Sequence, residues 1–137
     1  MVDGVEFQTT CFACGLDNAQ GLQLKFRVDP DGTAKASWVP GSEWEGPRGI
    51  VHGGIVTTLL DEAMAKAVAV TGCKTMTAEL RVRFRQYAET GERLQVRGWV
   101  VRHKARLIET EALLAAADGS ERAHAWAKFL VVVKRQP

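Results

Sequence analysis

The chain has 137 residues, 46% of them hydrophobic and 25% charged, which suits one globular domain over 1–137 with its own core and leaves no room for a second. A formal net charge of +2 is too small to imply nucleic-acid binding by itself, although the basic residues gather in the second half. No run of about 18 apolar residues occurs, and positions 1–6 are acidic without an apolar signal core, so the sequence predicts a cytoplasmic protein with no membrane span.

Near the start, Cys11 and Cys14 form a single C-x-x-C, and the third cysteine is Cys73. An odd count in a reducing compartment argues against a disulfide framework. A structural zinc site usually takes four ligands, and His52, His103, His124 and Cys73 show no second pair at ligand spacing. The expectation is no metal, and an N-terminal turn whose thiols pack against the domain.

Leu22, Leu24, Phe26 and Val28 alternate with Gln23, Lys25 and Arg27, which predicts a half-buried strand over 22–28. The turn Asp29-Pro30-Asp31-Gly32 leads to a second strand over 33–39, with Ala34, Ala36 and Trp38 on one face, so the two make a hairpin. A loop rich in Gly, Pro, Glu and Trp (40–51) delivers the chain into the one long helical pattern, 53–71, with Gly72 placed to cap it. Apolar residues at Ile55, Val56, Leu59, Leu60, Ala63, Met64, Ala67 and Val68 cover more than half of that helix, which predicts a helix enclosed by other elements.

Beyond it, Met76, Ala78, Leu80, Val82 and Phe84 alternate with Thr77, Glu79, Arg81, Arg83 and Arg85 in a long strand with one apolar and one charged face. Strands over 93–101, 107–116 and 123–133 follow, joined by His103-Lys104-Ala105-Arg106 and by the turn Asp118-Gly119-Ser120. The fold class is α+β: one long central helix wrapped by a curved antiparallel sheet built from sequential hairpins.

Two glycines opening a helix leave backbone N–H groups at its positive end with no side chain to keep a carbonyl or anion away, so Gly53 and Gly54 suit an oxyanion hole. Glu62 has Lys66 four residues on, the favourable orientation for a surface ion pair. Asp61 has no cation among its helical neighbours Thr57, Thr58, Met64 and Ala65, which leaves it either a ligand-facing base or an acid that faces solvent or a cation from elsewhere. Eight residues separate Gly53 from Asp61, about 12 Å along the axis, so one helix cannot bring both to the same carbonyl. If both act on one group they come from two subunits, whose helices run antiparallel across a two-fold axis.

Val51-His52-Gly53-Gly54-Ile55, followed by Leu59-Leu60-Asp61-Glu62, resembles the signature of hot-dog-fold acyl-CoA thioesterases of the phenylacetate-degradation type. The likeness extends to Cys11-Phe12-Ala13-Cys14-Gly15, Gly21-Leu22-Gln23-Leu24, Gly49-Ile50, Thr77-Ala78-Glu79-Leu80 and Gly91-Glu92-Arg93-Leu94. It implies a hot-dog fold, a homodimer with composite sites or a tetramer of two such dimers, and hydrolysis of an acyl-CoA thioester without a cofactor. It implies that the Gly53 amide polarises the carbonyl, that Asp61 of the other subunit is general base or nucleophile, that Thr77 orients the attacking water and that His52 lies beside the carbonyl or thiolate. Some family members carry an amide side chain six residues before the histidine, where this chain has Gly46. Strand parity puts Thr77 on the face of Glu79 and Arg81, so its role requires a bulge or a place at the dimer seam.

For the phosphates of coenzyme A the candidates are Arg81, Arg83, Arg85, Arg102, Lys104 and Arg106; the alternating arginines read first as a solvated sheet face, which leaves Lys104 and Arg106 favoured by their turn. Trp44, in the loop before the helix, is a candidate for the acyl pocket. A 3-hydroxyacyl-thioester dehydratase and a non-catalytic acyl-CoA-binding module on the same fold are the competing readings.

Overall fold

The computed structural model describes residues 10–133; the acidic segment 1–6 lies outside them. The described elements are β1 (Arg27–Val28), β2 (Ala34–Trp38), a 3-10 turn at Ser42–Trp44, α1 (Gly53–Ala69), β3 (Lys74–Phe84), β4 (Leu94–Lys104), β5 (Leu107–Ala116) and β6 (Glu121–Val133). They form one six-stranded sheet in the order β1-β2-β4-β5-β6-β3, every pair antiparallel. The sheet is not closed, and α1 packs against all of its strands from β2 to β6, the hot-dog arrangement that the sequence predicts.

The helix is enclosed as its periodicity requires. Leu59, Leu60, Ala63, Met64, Ala67 and Val68 are fully buried, facing Ile108, Ala112 and Leu114 of β5 and Ala123, Ala125 and Phe129 of β6. Each large side chain so buried contributes about 2 kcal/mol. Small residues set the spacing: a Cβ on Gly98 of β4 would sit 2.6 Å from the Ala63 carbonyl carbon, so helix and sheet meet backbone to backbone there.

Three expectations need correction. The segment 22–26 is not a strand: Gln23 adopts φ 54, and the Leu22 and Leu24 amides bond Phe12 O and Ala13 O (2.7 and 2.9 Å). Leu22 and Leu24 are still buried, so the alternation reported burial and not sheet pairing. The helix stops at Ala69, because the Thr71 and Gly72 amides tighten onto Val68 O and Ala69 O and Gly72 turns to φ 83. Hairpin order also fails once. β3 leaves the helix and pairs with β6 at the far edge, while β4 returns beside β2.

The largest change lies in β3. Thr77 opposes Phe129 and Glu79 opposes Lys128, so Ala78 is an extra residue in a bulge. N-terminal to it Thr75 and Thr77 point inward and Met76 is exposed; beyond it Leu80 and Val82 point inward. The expected apolar face therefore holds only from Leu80 onward, and the bulge needed to turn Thr77 toward the helix is present.

Candidate active site

The mouth of α1 is built by His52, its N-cap. His52 Nδ1 accepts from the Gly54 amide (2.8 Å), and His52 O accepts from the Ile55 and Val56 amides (2.9 and 3.1 Å). The His52 amide itself bonds Trp44 O (2.9 Å). Of the amides from 52 to 56, only that of Gly53 has no acceptor among the described residues. The expectation of two open amides is therefore corrected to one, because the Gly54 N–H is spent on the imidazole. A neutral His52 accepting at Nδ1 carries its proton on Nε2. Gly46 backs the ring, and a Cβ there would lie 3.3 Å from His52 Cα and Cδ2. The position that bears an amide in some thioesterases is here occupied by the approach of the loop.

In mid-helix, Asp61 is half-buried and faces β3, where Thr77 Oγ1 donates to Asp61 Oδ1 at 2.9 Å. Burial pushes the carboxyl above the usual carboxylate range; the Thr77 hydroxyl opposes the shift and the Glu62 charge adds to it. Gly53 and Asp61 sit about 12 Å apart along the axis of α1.

Glu62 and Lys66 do pair (3.2 Å), but not on the surface: their side chains are only 15% and 9% exposed, roofed by the Cys11–Cys14 turn. This corrects the expected solvent-facing pair. Sequence reading places neighbours along a helix, whereas the covering segment is 52 residues away.

Beside the Gly53 end lies a cleft of about 740 Å³. Pro47, Ile50, Val56 and Phe84 make its apolar wall, and Arg85, Gln86, Tyr87 and Arg122 its rim. Phe84 and Tyr87 are 55% and 72% exposed, large aromatic surfaces for a groove rim. Arg122 donates to Glu92 Oε1 (3.1 Å), Ser120 Oγ (2.8 Å) and Gln86 Oε1, tying the segment after β3 to the start of β6. Sequence reasoning missed Phe84, Gln86, Tyr87 and Arg122 as site residues; the one local hint was a tyrosine just past a strand end.

The basic candidates are dispersed. Arg85 borders the cleft and lies 3.6 Å from Glu121. Arg83 and Arg81 point to the outer sheet face, Arg81 over the Trp126 ring at 4.7 Å. Lys104 and Arg106 lie at the other end of the sheet, since Lys104 opposes Leu107, Leu107 opposes Leu130 and Leu130 opposes Met76. From Met76 to Phe84 is about 26 Å of strand. Arg106 also donates to Val131 O through Nε and Nη2 (3.3 and 3.0 Å), which ties it to its own sheet. Within one chain, then, Lys104 and Arg106 are not brought to the helix mouth. Trp44 packs on Trp38 (ring centroids 6.4 Å apart) and does not line the cleft. No helix among the described residues is long and apolar enough to cross a membrane.

Residues 48–123 match the family model of the thioesterase superfamily. A solved thioesterase superfamily protein superposes with a TM-score of 0.85 at 27% identity over 89% of this chain, which spans only 60% of that protein's length. A phenylacetic acid degradation-related protein from Ralstonia eutropha JMP134 gives 0.73 at 26% identity, covering 80% of this chain and 86% of that one. A hypothetical thioesterase protein from Streptococcus pneumoniae TIGR4, solved with coenzyme A, gives 0.77 at 17% identity, covering 82% and 88%. No curated protein matches the chain. A helix whose one open amide belongs to a His-Gly-Gly mouth, set in this sheet and matched over more than half of its length, places the chain in the thioesterase superfamily.

Proposed function

We propose that the protein hydrolyses acyl-CoA thioesters to the free acid and coenzyme A, at composite sites formed by two copies of the chain. The observation that carries this reading is the Asp61–Thr77 contact, a carboxylate held by a hydroxyl donor that an intervening bulge turns inward. In the Streptococcus pneumoniae protein, an aspartate and a threonine at the same separation along the chain have each been replaced by alanine, which supports treating this pair as a unit. That protein's coenzyme A and the superfamily match support the substrate class.

The thioester carbonyl docks at the mouth of α1, where the open Gly53 amide meets the developing oxyanion at the positive end of the helix dipole. One such donor is worth about 3 kcal/mol in the transition state. Asp61 of the second copy, which lies about 12 Å along its own helix from its own Gly53, activates water or attacks the carbonyl itself; a positioned carboxylate base contributes about a hundredfold or more. The tetrahedral intermediate then collapses, the C–S bond breaks and the thiolate of coenzyme A leaves. With water as nucleophile the free acid forms at once; with Asp61 as nucleophile, water then hydrolyses the mixed anhydride to the free acid and the carboxylate.

One feature of the fold supports the assembly. β3, eleven residues long, is one of the two edge strands of the sheet, and Asp61 faces it. A long free edge favours pairing with a second chain. The cleft beside Gly53, with Phe84 and Tyr87 exposed, suits an acyl group with apolar or aromatic surface, and Arg85 at its rim suits an anionic part of the substrate.

The test is thiol release from aryl-, short- and long-chain acyl-CoAs. Asp61→Asn should abolish release while size-exclusion chromatography still shows the wild-type assembly. Wild-type turnover by that variant would sink the assignment, and an enoyl product without free thiol would replace hydrolysis by dehydration.

A further inference from the structure

Outside the catalytic geometry, the described residues hold one cluster of sulfur and charged groups, where the N-terminal turn meets α1. The Gly15 amide bonds Cys11 O (2.7 Å), closing one turn of helical type, and the Leu22 and Leu24 amides clamp that turn through Phe12 O and Ala13 O. Residues three apart on such a turn have Cα atoms about 5 to 6 Å apart, within the range a disulfide spans. The Sγ atoms of Cys11 and Cys14 and a carboxylate oxygen of Glu62 lie within 4.8 Å of one another. The Ala13 amide donates to Cys11 Sγ at 3.4 Å, and Cys11 Sγ lies 3.9 Å from Glu62 Oε1. On the other side, Lys66 Nζ lies 3.0 Å from Cys14 Sγ and 3.2 Å from Glu62 Oε1.

Such a group of ligand atoms suits either a cation or a redox dithiol. The Lys66 ammonium decides between them, because it already supplies the positive charge that a divalent cation would bring, and would repel one at this distance. The sulfurs themselves differ. Burial pushes the Cys14 thiol up to about 12, so it stays protonated, while Cys11 Sγ accepts from the Ala13 amide and faces the Glu62 carboxylate.

We propose that Cys11 and Cys14 are a reversible dithiol–disulfide site that takes a hydroperoxide as oxidant. Cys11 attacks the peroxide, the O–O bond breaks, an S–O bond forms, and the departing alkoxide takes the thiol proton to leave as an alcohol. Cys14 Sγ then attacks Cys11 Sγ; the S–O bond breaks, and the departing hydroxide takes the Cys14 proton to leave as water. Two thiols lose two electrons and the hydroperoxide gains them. Cys73, beyond the end of α1 and in no such cluster, stays reduced.

The full-length chain treated with dilute hydrogen peroxide, alkylated and digested without reduction provides the test. The expected result is a fall from three alkylated cysteines to one, the remaining label on Cys73, with Cys11 and Cys14 in a peptide lighter by two hydrogens. A thiol reductant should restore all three. In Cys14→Ser, a dimedone adduct should appear on Cys11. The proposal is overturned if Cys11 and Cys14 both remain alkylated after Cys73 has oxidised, or if they reach sulfinic acid without a link. It is equally overturned if zinc added to the reduced protein shields both from alkylation until a chelator removes it.

Discussion

Thr77 Oγ1 donates to Asp61 Oδ1 across 2.9 Å, joining the middle of α1 to the edge strand at the residue before a bulge. The hydroxyl favours the ionised carboxylate, against the burial that disfavours it. Thr77→Val removes the donor at constant shape, so the Asp61 carboxyl rises further and kcat/KM should fall by tenfold or more, on the order of the 1.4 kcal/mol or more carried by a hydrogen bond to a charged group. Thr77→Ser should keep most of the rate. A loss in Thr77→Ser with none in Thr77→Val would show that the methyl group, not the hydroxyl, matters.

The raised carboxyl of Asp61 makes two pH predictions. A base must be ionised, so the acid limb of kcat/KM should lie above the ordinary carboxylate range. For stability the sign is opposite to that of a salt-bridged acid. The folded chain holds this proton more tightly than the unfolded chain, so its contribution is present below the unfolded value and is lost as pH rises through the folded one. Asp61→Asn should therefore gain stability relative to wild type between acid and neutral pH, as measured by urea unfolding at both. A difference that does not change with pH would contradict the burial of this group.

His52 occupies the Gly54 amide and caps α1. His52→Ala should lower stability by about 1 kcal/mol, as loss of an N-cap does, and release a second amide at the helix mouth. His52→Asn, which can accept the same bond, should recover the melting temperature. If His52→Ala lost activity and His52→Asn restored stability without activity, the ring would have a role beyond the cap.

Gly98 is where β4 runs under α1, and a Cβ there meets Ala63 O at 2.7 Å and Met64 N at 2.8 Å, both backbone atoms that cannot swing away. Gly98→Ala should destabilise by about 1–3 kcal/mol, the range for an overpacked core. Thermal unfolding reads this directly. A neutral result would mean that helix and sheet separate more easily than their packing indicates.

Much of this molecule is legible in the chain because its causes are local. The apolar spacing from Ile55 to Val68 marks an enclosed helix, the absence of a cation near Asp61 marks an acid left for another purpose, and helical rise alone separates Gly53 from Asp61. What the tertiary structure decides involves partners far along the chain. The bulge at Ala78 turns Thr77 inward because the register is set against Phe129 and Lys128 of β6. The Glu62–Lys66 pair is buried because the turn at Cys11 and Cys14 folds over it. At the helix mouth, two glycines predict two free amides, but the rotamer of His52 takes one of them, leaving Gly53 as the single open donor. Periodicity reports which face a residue occupies on an ideal element, whereas a bulge, a cap or a covering turn depends on contacts that form only when distant segments meet.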